Sequence, residues 1–337
     1  MHEVTSEEEI IQIKMKAPHV VILGAGASRA ACPNGDVNGK KLPIMNDFIQ
    51  NIGLKELEDL GFDNNTNFEV VYSYLCDNKE FDKIRSNIEQ KIYDYFEKIE
   101  MSDSPNLYDY LILSLRKKDV IATFNWDPLL IQAAWKNRNF DLPNLLFLHG
   151  NVGIGYCKDC IKTTLKQFPC NSCGKKLEPA PLLYPIIKKD YFTNDFVRSQ
   201  WKTLQKYIKS AFWITIFGYS APKYDTGAIE LMKLAWGQIN ERNMEQIEII
   251  DIKNQEELRE TWTDFIFSHH WEAHNNFFDS WIANHPRRTG EAYLNQYLEA
   301  KFIDNNPIPR GVSFPELQKF FQTLQEVERH ITLKLEK

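Results

Sequence analysis

Four apolar runs along this chain stop at glycine or at polar groups: HVVILGAG at 19–26, VIATFNWD at 120–127, LLFLHG at 145–150 and AFWITIFGYS at 211–220. A fifth, QIEIIDI, lies at 246–252. Runs that are apolar throughout, with no in-and-out alternation, suit strands covered on both faces. Helical patterns separate most of them: DPLLIQAAWKNR follows the second run, QWKTLQKYIKS precedes the fourth, and DTGAIELMKLAWGQIN follows it. Strands alternating with helices predict an α/β fold built on a doubly wound parallel sheet. Open sheets of this kind bind ligands outside the carboxyl ends of their strands. The glycine and polar endings are therefore where function is to be sought.

The ending FNWD raises the question most sharply, because Asn125 and Asp127 flank a tryptophan just before Pro128. Asp127 before a proline suits a helix N-cap, and Asn125 is a turn former. The competing reading makes both of them one wall of a ligand pocket. GAGAS at 24–28 admits the same two readings. Gly24 and Gly26 let the backbone approach a pyrophosphate, with amide N–H groups aimed at it, yet they also suit a tight turn. The usual dinucleotide fingerprint asks for a third glycine where this chain has Arg29. No second strand ends in an acid some twenty residues on, so a hydride-transferring NAD site is poorly supported.

Four of the six cysteines are clustered: CKDCIKTTLKQFPCNSC holds Cys157, Cys160, Cys170 and Cys173 as two Cys-x-x-Cys pairs nine residues apart. Two such knuckles complete a tetrahedron of thiolates around zinc and leave no position open for water. The ion would hold structure and take no part in chemistry. A small zinc ribbon between the third and fourth strands is predicted, with Cys32 and Cys76 as spare thiols.

Other segments read as support. FDKIRSNIEQKIYDYFEKIE repeats Ile84, Ile88, Ile92 and Phe96 at helical spacing. SPNLYDYLILSLRKK predicts a helix with Ser104 as N-cap and Pro105 at its first position. ASRAACPNGDVNGKKLP reads as a long loop. Beyond about residue 255 strands are expected to stop and aromatic-rich helices to follow. There His269, His270, His274 and His285 gather; His270 and His274 would share one packed helical face, and Glu272 is misplaced for a zinc-protease motif. A formal charge of −6 argues against gripping nucleic acid by charge, and no metal-binding carboxylate cluster suggests a nuclease. With no run long enough to span a membrane and an acidic N-terminal stretch unlike a secretion signal, a cytoplasmic protein is expected.

GAGAS, TFNWD, LHG and two Cys-x-x-Cys pairs directly after LHG occur in the order seen in sirtuins, and FGYS and IIDIKN resemble that family's closing nucleotide-binding segments. The resemblance covers roughly residues 18–255. It implies a Rossmann-like sheet domain over 1–255, with the zinc ribbon at about 151–180, and a helical C-terminal extension over 256–337. It further implies NAD+ as substrate, a structural zinc, and cleavage of the nicotinamide–ribose bond. The family's Thr-Gln-Asn-Ile-Asp segment matches Thr123 to Asp127, its catalytic His-Gly matches His149-Gly150, and its Gly-Thr-Ser turn matches Gly218-Tyr219-Ser220. Its last-strand Asn falls near Asp251. The implied catalytic groups are Asn125, Asp127 and His149. The implied cofactor-binding residues are Gly24, Ala25, Gly26, Ser28, Thr123, Gly218, Ser220 and Asp251. Ser220 and Asp225 also fit ordinary turns.

Two departures stand out. The family's Gly-Ile-Pro-Asp-Phe-Arg loop is replaced by RAACPNGDVNGKKLPIMNDF, and PLLYPIIKKDYF lacks the Phe-Gly-Glu of the acyl-lysine tunnel. Together with GYSAPKYD they resemble the sirtuin-like domains of bacterial antiphage defence, which implies NAD+ hydrolysis to nicotinamide and ADP-ribose. The alternatives are a protein deacylase and a non-catalytic NAD+ or ADP-ribose sensor. The resemblance also implies a homo-oligomer and a regulatory partner such as a HerA-type ATPase or an Argonaute-like protein.

Overall fold

A computed structural model describes residues 3–186, 191–192, 194–221, 225–238, 241–242, 245–266 and 270–335. Its centre is a six-stranded sheet of β1 (His19–Leu23), β2 (Val120–Thr123), β3 (Asn144–Phe147), β7 (Trp213–Phe217), β8 (Gln246–Ile250) and β9 (Trp271–His274). All are parallel, in the order β9-β8-β7-β1-β2-β3. Every residue of β1, β2, β7 and β8 is buried, as the apolar runs of the first three require and with Gln246 and Glu248 buried in the fourth. The chain moves outward from β1 through β2 to β3, then returns to the other side of β1 with β7. The reversal puts a topological switch point at the ends of β1 and β7.

Helices cover both faces. α1 (Ala25–Ala31) follows β1 directly, so the segment expected to be a loop begins with two helical turns of mostly small residues. α2 (Phe68–Asp77) and α3 (Asp82–Glu97) pack as a pair, α3 burying Ile88, Ile92 and Phe96 as its spacing predicts. α4 (Leu107–Leu113) starts later than expected. Asn106, not Ser104, is its N-cap, because Asn106 and Asp109 satisfy each other's backbone amides in a capping box. α5 (Leu129–Lys136) and α7 (Thr226–Trp236) fall where the sequence places them, and α6 (Asp195–Ser210) starts ahead of the expected QWKTLQKYIKS because Asn194 caps it.

The insertion after β3 is a separate antiparallel sheet of β4 (Ile154–Cys157), β5 (Lys162–Leu165) and β6 (Glu178–Pro179), in the order β5-β4-β6. It carries the four cysteines.

Past residue 255 the chain forms α8 (Gln255–Trp262) and then departs from expectation. Trp271–His274 is a strand, pairing with β8 at the sheet edge. His274 therefore lies on a strand with His270 just before it, which corrects the shared helical face; His269 lies outside the described residues. The strand was missed because it is four residues long and half-buried, with Trp271 and Ala273 on the core and the polar Glu272 and His274 alternating with them. His274 Nε2 sits 3.5 Å from Glu248 Oε1, and Glu248 Oε2 accepts from Thr215 Oγ1, which also meets His19 Nε2 at 2.7 Å. His285 instead meets Glu9 at 3.0 Å. The last helix, α9 (Phe314–Leu335), is locked by Glu328, which accepts two bonds from Arg287 and one from Arg288. Arg288 also donates to Ile10 O, tying the first segment to the last. Among the described residues no helix is long and apolar enough to cross a membrane.

Candidate functional site

The switch point is built by close backbone contact. A Cβ on Gly24 would lie 2.4 Å from Gly218 O, one on Gly26 would lie 2.8 Å from Gly218 Cα, and one on Gly218 would lie 2.3 Å from Ala27 N. Gly218 also has φ +59°, which favours glycine. The amide of Gly24 donates to Phe217 O and that of Gly26 to Gly218 O, both at 3.0 Å. Those two N–H groups are thus spent on the neighbouring strand end, a correction to the expectation that they aim at a pyrophosphate. The glycines clamp the β1 turn to the β7 turn. Ala25 opens α1 half-buried beside them.

Around this clamp β2 delivers its polar ending. Asn125 Nδ2 donates to Gly24 O and to Ser28 Oγ, both at 2.8 Å, and lies 3.3 Å from the Tyr108 hydroxyl. Ser28 Oγ donates to Asp127 Oδ2 at 2.6 Å and meets Tyr108 OH at 2.7 Å. With Asp127 taking the serine proton, the tyrosine is the group that donates to Ser28, so the chain of hydroxyls runs toward the carboxylate. Asp127 Oδ1 accepts from the Leu129 amide at 3.1 Å, so the capping role exists alongside the network. Thr123 Oγ1 accepts from Asn125 N, and Asn151 Nδ2 donates to the carbonyls of Asn125 and Asp127. Burial raises Asp127 to a pKa of about 6 against the pull of the Ser28 and Leu129 hydrogen bonds.

His149, at the end of β3, belongs to a second cluster. Its ring meets Phe124 edge-on with centroids 4.8 Å apart, and Phe124 stacks on Tyr219 at 4.2 Å. Its Nε2 is 4.0 Å from Asp225 Oδ1. Asp225 accepts from Tyr191 at Oδ1 (2.7 Å) and from Tyr219 at Oδ2 (2.8 Å). Phe124 immediately precedes Asn125, so the two clusters occupy adjoining strand ends with its ring between them. Asn125, Asp127 and His149 are 8 %, 4 % and 7 % exposed, so their side chains face inward. Two open grooves of about 350 and 400 Å³ lie elsewhere, one between α5, β3 and β5 and one beside α3; neither is lined by these three residues.

Two expected residues sit apart. Ser220 is exposed at the end of the β7 turn. Asp251, just past β8, is half-buried; its amide donates to His274 O and its carboxylate accepts from the Lys253 amide, as in a turn.

The cysteines converge. One sulfur of each of Cys157, Cys160, Cys170 and Cys173 lies within 4.8 Å of all the others. Tetrahedral zinc with bonds near 2.3 Å places its sulfurs roughly 3.8 Å apart, so the four fit one ion. Ile161, at φ +52°, follows the first knuckle and Gly174, at φ +72°, follows the second.

No protein-family model and no curated protein matches the chain. Solved structures with a similar course include a Sir2 homologue in complex with NAD, at 14 % identity and TM-score 0.41, covering 98 % of this chain and 97 % of that one. Sir2Tm bound to a propionylated peptide gives 14 % identity and TM-score 0.38, covering 84 % and 93 %. A further Sir2 enzyme gives 17 % and 0.37, covering 74 % and 88 %.

Sequence reasoning missed Tyr108, Tyr191 and Tyr219 as members of these clusters. Tyr219 lies inside the FGYS ending and carried the nearest signal. Tyr108 reads as one aromatic among many on an apolar helix.

Proposed function

We propose that the chain cleaves NAD+ at the nicotinamide–ribose bond, giving nicotinamide and ADP-ribose. The reading is supported by one observation above the others: Ser28 after β1 and Asn125 and Asp127 after β2 form one buried network at the switch point, with His149 at the next strand end. The motif order that resembles sirtuins points to the same residues.

Breaking the C–N bond sends its electron pair to a neutral pyridine, so the leaving group needs no general acid. The cost lies in the oxocarbenium-like ribose and in presenting water to its C1 carbon. The Asp127 carboxylate, ionised above about pH 6, favours developing positive charge. Asn125 offers both a donor and an acceptor without charge for a ribose hydroxyl or the water. His149 takes the proton released when water adds. Ala25 and the clamped glycines form the floor under the phosphates, Thr123 supports Asn125 from below, and Ser220 and Asp251 take the adenosine side. Zinc on the four cysteines keeps the inserted sheet folded. The missing acyl-tunnel segment favours hydrolysis over deacylation, and with it a role in antiphage defence under control of a partner or an oligomeric assembly.

The test is nicotinamide release from NAD+ by the full chain, Asn125→Ala and His149→Ala, with zinc content followed in each. Release lost in both variants at unchanged zinc supports the reading. Release that requires an acetyl-lysine peptide and yields acetyl-ADP-ribose replaces it with deacylation. Ligand-induced thermal stabilisation without turnover leaves a sensor.

A further inference from the structure

We infer that Asp225 is a positioning residue that holds His149 in orientation and raises the proton affinity of its ring, with Tyr191 and Tyr219 keeping the Asp225 carboxylate ionised. The inference rests on the NAD+-cleavage reading for its catalytic meaning and on geometry alone for the pairing. Asp225 is 3 % exposed, and a carboxylate so deep stays charged only when its oxygens are hydrogen-bonded. Each oxygen has a phenol: Tyr191 donates to Oδ1 at 2.7 Å and Tyr219 to Oδ2 at 2.8 Å.

Both phenols are held by neighbouring rings, and Phe124, which holds Tyr219, also frames the imidazole. Tyr191 lies nearly parallel to His149 with centroids 6.1 Å apart and packs against Trp201. Tyr219 stacks on Phe124, which meets His149 edge-on. The carboxylate is thereby fixed with Oδ1 4.0 Å from His149 Nε2. At that separation the attraction favours the imidazolium and biases the neutral ring toward carrying its proton on Nε2, leaving Nδ1 as the basic nitrogen. Burial, then the field of Asp225, pushes both phenols above their ordinary range, so they stay donors through neutral pH. Glu69 of α2 adds negative charge on the same side, its field reaching Tyr191 and Tyr219. Phe124, which meets the ring edge-on, is uncharged.

The experiment reads His149 directly by proton–carbon NMR of the histidine ring in the full zinc-loaded chain, its signal assigned by loss in His149→Gln. In Asp225→Asn the titration midpoint is expected to fall by about one unit. Tyr219→Phe, which keeps the stacking ring, is expected to move it the same way by less. NAD+ turnover should lose about tenfold in kcat with KM within twofold, and Asp225→Glu should recover part of it. A midpoint unmoved within about 0.3 unit in both the Asn and the Phe variant overturns the pairing. Should Asp225→Asn fail to fold, Tyr219→Phe and Tyr191→Phe decide by the same readout. A shifted midpoint in a chain that releases no nicotinamide defeats the NAD+-cleavage reading and leaves the pair standing. Turnover that depends on His149 with an unmoved midpoint does the reverse.

Discussion

Replacing Asp127 by asparagine isolates the carboxylate at the centre of the buried network. In the folded protein burial raises this acid from 3.8 to about 6. A raised carboxyl pKa means that the folded state binds the proton more tightly than the unfolded chain does. The associated stability is therefore complete below about pH 3.8 and is lost as pH climbs through 6. A shift near two units corresponds to about 3 kcal/mol, and about half of that loss falls between pH 5 and 8. In Asp127→Asn the new amide would keep the acceptor for the Leu129 N–H but present its own N–H where Asp127 receives the Ser28 proton. Ser28 would then have to turn its own proton toward Tyr108, exchanging one hydrogen bond for another at a cost of about 1 kcal/mol. Wild type has already lost about 1.5 kcal/mol at pH 5 and about 3 kcal/mol at pH 8, so the variant should lie within about 1 kcal/mol of wild type at pH 5 and exceed it by about 2 kcal/mol at pH 8. Urea unfolding of both proteins at half-unit steps measures this, since groups common to the two cancel in the difference. A difference that stays flat across that range would falsify the assignment of a buried, reluctant acid to position 127.

Gly26→Ala should cost about 1–3 kcal/mol, read as a lower thermal midpoint, because its methyl group meets the Gly218 backbone and no flexible side chain is there to yield. Gly218→Ala should cost more, adding backbone strain to the clash. Zinc removal by a strong chelator, or Cys170→Ser, should expose residues 151–180 to protease while the six-stranded sheet keeps its far-ultraviolet circular dichroism; equal loss of both would show that the insertion is not a separate unit. Arg287→Ala should destabilise by about 2–4 kcal/mol in denaturant titration, since it leaves Glu328 with Arg288 as its remaining partner and removes donors from the carbonyls of Leu113 and Leu115.

The parallel sheet was legible because strands covered on both faces must be apolar from end to end, and no helix pattern imitates four such runs. β9 was not legible. WEAH is too short for the alternation of Trp271 and Ala273 with polar residues to stand out, and the groups that make Glu272 and His274 tolerable there, Glu248, Trp281 and Tyr297, come from distant segments. The same physics hid α1, whose glycines argue for a turn until the approach of Gly218 explains them. Within the candidate site, Asn125, Asp127 and His149 announced themselves by position at strand ends. Tyr108 did not, because a hydrogen bond between residues 28 and 108 has no periodicity to read, and Asp225, a candidate that also fits an ordinary turn, gave no sign of its pairing with residue 149.

The placement of β1 between β2 and β7 bears on how the molecule is made. On the ribosome one flank of β1 finds its mate only when Trp213–Phe217 emerges, about 190 residues after Leu23. At ordinary elongation rates that interval is on the order of 10–40 s. Through it a fully apolar strand presents a bare hydrogen-bonding edge to its crowded surroundings, so nascent-chain capture by a chaperone should concentrate on lengths between these two points.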